Sequence, residues 1–265
     1  MGIFSKLFGK KEQSEQKPDK MVTDFTELIG CDWQQLSDSL TKEEITELYL
    51  SEYALGAQNG YYPILVSLSD TLLEDIWSVY EDEGDHEEYR NRLMSSDLSH
   101  GGEFLSKRFK EYVDMIKEEE DENYSVEELY GEYSDNIKPL SFFLNVDKKS
   151  RSDNEKLLLL RVPADEPWKV FAWLPIGGWN ECPETEDVMA VCKYWYEKYK
   201  AVPAFISKDE LQMYVATPIN HGDDAVKLAE EQYGFCNDTV DQGVGSIMSL
   251  AGSLIGSNIW YFWWD

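Results

Sequence analysis

The sequence predicts an α+β protein in which a mixed β-sheet carries helices packed on it. Apolar residues recur at helical spacing after clear helix-start signals, and short apolar runs of strand length lie between turn-forming residues. The chain has 265 residues, of which 42% are hydrophobic and 14% aromatic, and this supplies a core without disulfides. In the C-terminal third, the order strand, helix, strand, strand, helix, helix, strand predicts a split βαβ (ferredoxin-like) arrangement.

Three regions follow one another along the chain. Residues 1–20 form a basic and apolar tail with a linker, with a charge of +2 against about -30 for the remainder. Residues 21–150 form an acidic, helix-rich region with one or two strands, and residues 151–265 form a C-terminal α+β domain. Residues 2–11 would place apolar side chains on one face of a short helix that touches a membrane or partner transiently. A disordered tail is the favoured alternative, because one or two helical turns are marginally stable alone.

The N-terminal region begins with a strong helix signal. Thr41 and Glu44 match a capping box, and apolar residues at helical spacing then predict a helix over about 42–57. The run Tyr62–Leu68 predicts a buried strand, and the apolar spacing after Asp70 predicts a second helix. Acidic helices are expected to fill residues 86–132.

The second half predicts strands, a hairpin and a terminal strand. Strand candidates, in order, are Leu140–Val146, Leu157–Val162, Trp168–Leu174, then a hairpin of Val202–Ile206 and Leu211–Ala216. Between them, Pro183 is expected at the first position of a helix. A helix over Asp223–Tyr233 and a small-residue helix after Gly243 or Gly245 precede the aromatic end. Trp260, Phe262 and Trp264 should share one face of a last strand covered on both sides, which predicts an internal strand.

Charge and cysteine content limit the function classes. The formal charge is -28, from 52 acidic and 24 basic residues, so the protein repels nucleic acid and anionic lipid and attracts basic partners. The four cysteines form no CxxC pair, which favours reduced thiols over a disulfide framework or a local zinc motif. No apolar run approaches about 20 residues and no secretory signal is recognisable, so a cytoplasmic protein without metal or cofactor is expected.

One loop carries the best candidate for a nucleophile. Cys182, directly before Pro183, would lie at a helix N-terminus, where free amides lower a thiol pKa, although neighbouring acids oppose that effect. Folding could bring Cys182 together with His221 and Cys236 as a catalytic pair or part of a metal site. The spacing alone does not require it, and buried packing thiols are the preferred interpretation.

The same loop and a second one hold candidate binding residues. Trp179 is expected to be partly exposed as a binding anchor. Asn180 and Glu181 are interpreted as turn residues, with a ligand contact as the alternative. Asp238, Asp241 and Gln242 could line the same cleft, although an Asx turn and helix cap leading into Gly243 is the preferred interpretation. No nucleotide-binding, serine-hydrolase or zincin motif is present.

Long strings in the last third resemble a known family. They are Gly177–Pro183, Tyr194–Trp195, Glu231–Cys236, Asp241–Gly243 and Gly256–Asp265. Over about residues 168–265 the chain resembles the bacterial domain-of-unknown-function family 4253. The resemblance implies no activity and assigns no residue a role. It implies only a loose association with bacterial toxin-immunity neighbourhoods.

These observations favour a non-catalytic acidic binding protein, of the immunity type that neutralises a basic partner such as a toxin. Acidic patches steer association and cover cationic sites, which suits that role. The alternative is a thiol-dependent enzyme or small-ligand binder that uses the Gly177–Pro183 and Cys236–Gln242 loops. A third possibility is a peripheral scaffold held by residues 2–11.

Overall fold

A six-stranded sheet organises the molecule, which is an α+β protein as predicted. The computed structural model describes residues 19–118, 125–133 and 138–265. The predicted contact through residues 2–11 therefore lies outside the described residues, as does part of the acidic segment near residue 120. Within the described part of the chain, no helix is both long and apolar enough to span a membrane.

The first half contributes two strands and six helices among its described residues. Their bounds are α1 Lys20–Ile29, β1 Asp32–Gln35, α2 Lys42–Asn59, β2 Tyr62–Leu68, α3 Asp70–Glu83, α4 His86–Ser95, α5 Gly101–Glu118 and α6 Val126–Tyr130. The predicted helix near 42–57 is confirmed, and both halves of its capping box form between Thr41 and Glu44. Gly60 ends it in the left-handed conformation.

The second half supplies four strands and the helices between them. Their bounds are β3 Lys156–Val162, a 3₁₀ helix Pro167–Ala172, α7 Thr185–Tyr199, β4 Ala201–Ile206, β5 Glu210–Val215, α8 Gly222–Phe235, a π-helical turn Thr239–Val244, α9 Ile247–Leu254 and β6 Ile259–Trp263. The hairpin of β4 and β5 is confirmed, and its turn closes through the Ser207 N–H donating to the Glu210 carbonyl at 3.0 Å.

The two halves of the chain build one sheet. The strand order is β1-β3-β2-β4-β5-β6, with β2 and β4 parallel and the other neighbours antiparallel. Because β2 lies between β3 and β4, the region 21–150 contributes a central strand to the sheet of the region 151–265. The N-terminal half thus interleaves with the C-terminal strands.

The predicted ferredoxin-like arrangement is not found. In that arrangement β3 would lie between β5 and β6, whereas β4, β5 and β6 pair in chain order as a meander. The prediction that β6 is internal is also wrong, because β6 is the edge strand. The start of its outer edge is paired: the Leu140 carbonyl accepts from the Asn258 and Ile259 amides at 2.9 and 3.1 Å. Trp260 and Phe262 are buried on one face, whereas Tyr261 and Trp263 on the other face are half-buried, so the predicted cover is complete on one face only.

Two cores flank the sheet, and alternate residues of its strands point into each. In β2, Ile64, Val66 and Leu68 face the larger core, while Leu65 faces the smaller one. The smaller core is completed by side chains of α2 and by Phe143 and Val146; the larger one holds most of the other helices. As predicted, Trp260, Phe262 and Trp264 share one face, and all three lie in the larger core.

Two predicted strands are not strands. Leu140–Val146 has no regular structure, and Asn145 within it has a φ of 54° that interrupts an extended chain. The run Trp168–Leu174 is mostly a 3₁₀ helix, with Pro167 in its first turn. Short apolar runs do not distinguish a buried strand from a buried helical turn or from a loop that buries single side chains, such as Phe143 and Val146.

Candidate functional site

The loop Gly177–Pro183 is a tight turn between the 3₁₀ helix and α7. Gly177 has a φ of 96°, and a Cβ there would lie 1.7 Å from the Pro183 carbonyl oxygen, so only glycine fits. The Gly178 amide donates to the Cys182 carbonyl at 3.2 Å. In the closed loop, Gly177 and Trp179 border a groove beside α3, whereas the Asn180 side chain bonds to Asp265 at the end of the chain.

Cys182 does not lie at the helix N-cap, so the basis for an activated thiol is wrong. Helix α7 begins at Thr185, and Glu184 occupies the N-cap position without a side-chain capping bond. The Cys182 side chain is only 5% exposed, and burial raises the pKa of its thiol well above the usual value. A nearby Cys236 thiolate would raise that pKa further.

Cys236 follows α8 and forms a hydrogen bond to the last strand. Its thiol donates to the Trp263 carbonyl at 3.0 Å, on the outer side of β6. Burial raises the pKa of Cys236 to about 12. Cys182 and Cys236 are therefore near one another, as the candidate cleft requires, but both favour the neutral thiol.

His221 lies far from both cysteines. It is exposed and immediately precedes α8, whose 14 residues separate it from Cys236 by about 20 Å along the helix. The structure thus does not bring the three candidate catalytic residues together. Among the described residues, no group of three or more His, Cys, Asp or Glu side chains is arranged to hold a metal ion.

The C-terminal residue joins the two candidate loops. The Asn180 side-chain amide donates to the Asp265 carbonyl at 2.5 Å, and the Asp265 amide donates to the Asp238 carboxylate at 3.1 Å. Trp179 packs edge-to-face on Trp264, with ring centroids 6.3 Å apart. The predicted proximity of the loops is therefore real, and the end of the chain fills the space between them.

Arg108 of α5 joins the Gly177 loop to the end of α8, a contact that the sequence did not predict. Its Nε donates to the Gly234 carbonyl at 3.1 Å, and its Nη2 donates to the Glu181 carbonyl at 3.0 Å and carboxylate at 3.3 Å. Tyr112, whose hydroxyl also contacts Arg108, donates to the same carboxylate at 3.2 Å. A single arginine on an amphipathic helix gives no sequence signal of such a contact.

The acid-amide cluster after α8 is engaged in local hydrogen bonds. Gln242 donates to Asp238 at 2.8 Å, and the Tyr233 hydroxyl donates to Asp241 at 3.2 Å. Asn237 also donates to Asp241 at 3.2 Å. These contacts match the structural interpretation of Asp238, Asp241 and Gln242 as a turn and helix-end cluster.

An acidic groove opens on the other side of the Gly177 loop. It runs between α3 and the loop as two hollows of about 250 and 170 Å³, which share Val79, Asp82 and Gly177. Five carboxylates line this acidic groove, with two cations and the half-buried ring of Trp179. The acids are Asp75, Asp82, Glu83, Glu184 and Glu186, and the cations are Arg92 and Lys208.

The cations neutralise only part of the acidic groove. Arg92 lies 2.7 Å from Glu83 and 4.0 Å from Glu186. In the described structure, Asp82 and Glu184 are exposed and have no ion-pair partner within 4.0 Å. Desolvation raises the pKa of Asp75, and Lys208 opposes that rise. The groove therefore presents uncompensated negative charge beside an aromatic side chain.

The sequence contained a signal for this surface. Asp75, Val79 and Asp82 recur at helical spacing and so share one face of α3. In sequence alone, Asp82 belongs to a run of like charges at residues 81–85, which is typical of a solvated helix end. Trp179, by contrast, lies partly exposed beside the groove, as expected of a binding anchor.

Comparison with known proteins gives one result for this chain. No curated protein and no solved structure matches it. A family model, described as a domain of unknown function (DUF4253), matches residues 158–265 and begins inside β3 rather than at Trp168. The match includes both candidate loops and the C-terminal strand. Residues 158–265, the C-terminal part of this chain, thus match the DUF4253 family model, as the sequence strings predict.

Proposed function

We propose that this protein is a non-catalytic acidic binding protein that receives a basic protein partner in the acidic groove. The observation that carries the proposal is the row of carboxylates between α3 and the Gly177 loop. Complementary charge steers encounter and selects partners, and a formal charge of -28 extends that attraction beyond the groove. Lysine or arginine side chains of the partner would pair with Asp82 and Glu184.

Trp179 supplies the apolar contact that charge alone lacks. Binding energy concentrates in a few side chains, often Trp, Tyr and Arg, that lie in packed positions at the centre of an interface. Trp179 borders the groove and is held edge-to-face by Trp264. A ring fixed in this way loses little conformational freedom when a partner covers it.

The thiol positions favour this role over a thiol enzyme. A reactive cysteine requires a lowered pKa and access, whereas Cys182, Cys192 and Cys236 are buried and have raised pKa values. The best base for Cys236, His221, lies at the other end of α8. The four cysteines are free thiols, which suits the reducing bacterial cytoplasm that the proposal assigns.

The proposal extends to an immunity-type role, in which the partner is a toxin with a cationic active site. An acidic cover blocks such a site directly. If the partner is a toxin, its expression alone arrests bacterial growth, and co-expression of this protein restores growth. If the partner alone does not slow growth, the immunity role is contradicted, whereas the binding role is not.

The binding role is tested by affinity capture with charge variants. Immobilised wild-type protein is compared with an Asp82→Asn/Glu184→Gln variant and with a control, Glu43→Gln/Glu47→Gln, which loses two exposed charges on α2. Bound proteins from a bacterial lysate are quantified by mass spectrometry. The expected result is a basic protein captured equally by wild type and control and about tenfold less by the groove variant. Equal capture by all three would overturn the proposal.

A further inference from the structure

A second cavity lies away from the acidic groove, beside the outer edge of β6. Its volume is about 240 Å³, and its wall is mainly apolar. It is bounded by β6, by α9, by the π-helical turn and by the segment that begins at Lys138. A dry apolar cavity of about 150 Å³ is known to hold benzene, so this one has room for a two-ring molecule.

Gln232 of α8 lines this cavity and is 1% exposed. Its side-chain Nε2 has no hydrogen-bond partner among the described residues. A buried amide without a partner is costly, and most such groups in folded proteins are paired. The amide therefore supplies a hydrogen-bonding position in an otherwise apolar wall.

The three serine and threonine hydroxyls in the wall are already engaged. The hydroxyls of Thr239, Ser253 and Ser257 donate to main-chain carbonyls at 2.7, 2.7 and 2.5 Å. At the rim, Asp238 accepts from Gln242 and from the Asp265 amide. Lys138 and Asp238 are the only two ionic side chains among the described lining residues, and their opposite charges leave no net charge to favour a charged ligand.

The edge of β6 adds main-chain groups to the same wall. The Ile259 amide and the Trp263 carbonyl both bond away from β5, to the Leu140 carbonyl and the Cys236 thiol. Antiparallel pairing alternates along a strand, so the amide and carbonyl of Tyr261 are directed to this side as well. The strand that completes the sheet thus forms one side of the cavity.

We propose that this cavity is a binding site for an uncharged, two-ring-sized apolar molecule that carries one hydrogen-bond acceptor. The ring system fills the space between α9 and β6, and its acceptor bonds to the Gln232 side-chain amide. The site is independent of the acidic groove, because the two have no lining residue in common. It also differs from a thiol site, since neither Cys182 nor Cys236 lines it.

The probes are 1-indanone and indane, two bicyclic molecules of similar size that differ in a carbonyl acceptor. Binding to the full chain is measured by saturation-transfer NMR, with each probe below about 1 mM. Wild type should bind 1-indanone more tightly than indane. Gln232→Leu should lower the affinity for 1-indanone by about tenfold and leave that for indane nearly unchanged, because only the carbonyl uses the amide.

Two filling variants and a control complete the test. Ser253→Phe and Val244→Phe each add a ring to the wall and should abolish binding of both probes. Ser51→Phe, on the exposed face of α2, should bind as wild type does. Cooperative thermal unfolding of each variant shows that it is folded. Failure of wild type to bind either probe, or unchanged binding in a folded filling variant, would overturn the proposal.

Discussion

The side-chain amide of Asn180 donates a hydrogen bond to the main-chain carbonyl of Asp265, the last residue, at 2.5 Å. Asn180 itself has a φ of 47°, in the left-handed region that asparagine tolerates better than most residues. The Gly177 loop and the end of the chain are therefore held together by one side chain in an unusual backbone conformation.

Asn180 allows the amide and the backbone conformation to be tested separately. Asn180→Gly keeps the left-handed conformation and removes the hydrogen bond, so it should lower the free energy of unfolding by about 1 kcal/mol. Asn180→Ala loses both and should cost about 1 kcal/mol more. Urea unfolding measures both. Equal stabilities for the glycine and alanine variants would contradict the strain argument.

The terminal strand should be indispensable although it lies at the sheet edge. Trp260 is 1% exposed and packs edge-to-face on Trp195, with centroids 5.7 Å apart. Trp260→Ala should lower the free energy of unfolding by about 3–5 kcal/mol, and deletion of Trp260–Asp265 should prevent folding. Trp77→Ala is the matched control. Because Trp77 is 46% exposed, this substitution should change the free energy of unfolding by less than about 0.5 kcal/mol. A deletion variant that melts cooperatively would refute the assignment.

The cysteines should react slowly with iodoacetamide in the native protein. Burial raises the pKa of all four thiols, but Cys182, Cys192 and Cys236 are buried, whereas Cys31 is half-buried and can be reached by the reagent. Labelling followed by mass spectrometry at each cysteine should therefore find Cys31 first and the other three only as the chain unfolds. Fast labelling of Cys182 below neutral pH would instead support the thiol-enzyme alternative.

Glu210, at the start of β5, should make stability depend on pH. Its pKa is raised from 4.5 to about 7, mainly by burial; the charges of Asp209 and Glu155 contribute to the rise, and the Asn145 amide opposes it. The folded protein thus holds a proton that the unfolded chain loses near its ordinary pKa. The stabilisation by protonated Glu210 is complete below that ordinary value and is lost as pH rises through about 7.

Glu210→Gln removes this dependence without removing the side-chain volume. Relative to wild type, the glutamine variant should gain stability between about pH 5 and about pH 8, where wild type loses its favourable proton. Urea unfolding of both proteins at the two pH values gives the comparison, and other titrating groups cancel in the difference. An identical stability difference at both pH values would show that Glu210 titrates normally.

Local signals account for the parts of the fold that could be predicted. The capping box at Thr41 and the short turn at Ser207–Glu210 involve residues close in sequence, and both are found. The sheet order could not be predicted in this way, because β2 pairs with β3 and β4 across long stretches of chain. Periodicity gives the faces of a strand but not its neighbours.

The family strings mainly describe packing, which explains why they give no function. The Trp195 indole donates to the Glu231 carboxylate at 3.0 Å and so joins α7 to α8. A Cβ at Gly234 would lie 2.6 Å from the Leu105 carbonyl, which requires glycine where α8 meets α5. The groove acids Asp75 and Asp82 lie upstream of residues 158–265, outside the matched domain. No motif within the last third could therefore have identified the complete groove.

The most direct test of the groove is a hydrogen-exchange footprint of the protein with the basic partner captured by wild type. Exchange is compared by mass spectrometry with and without that partner. The groove predicts slowed exchange in α3, from Asp70 to Glu83, and in residues 177–186, with α2 unchanged. Protection confined to α2 or to the outer edge of β6 would show that the partner binds elsewhere and would contradict the proposed role of the groove.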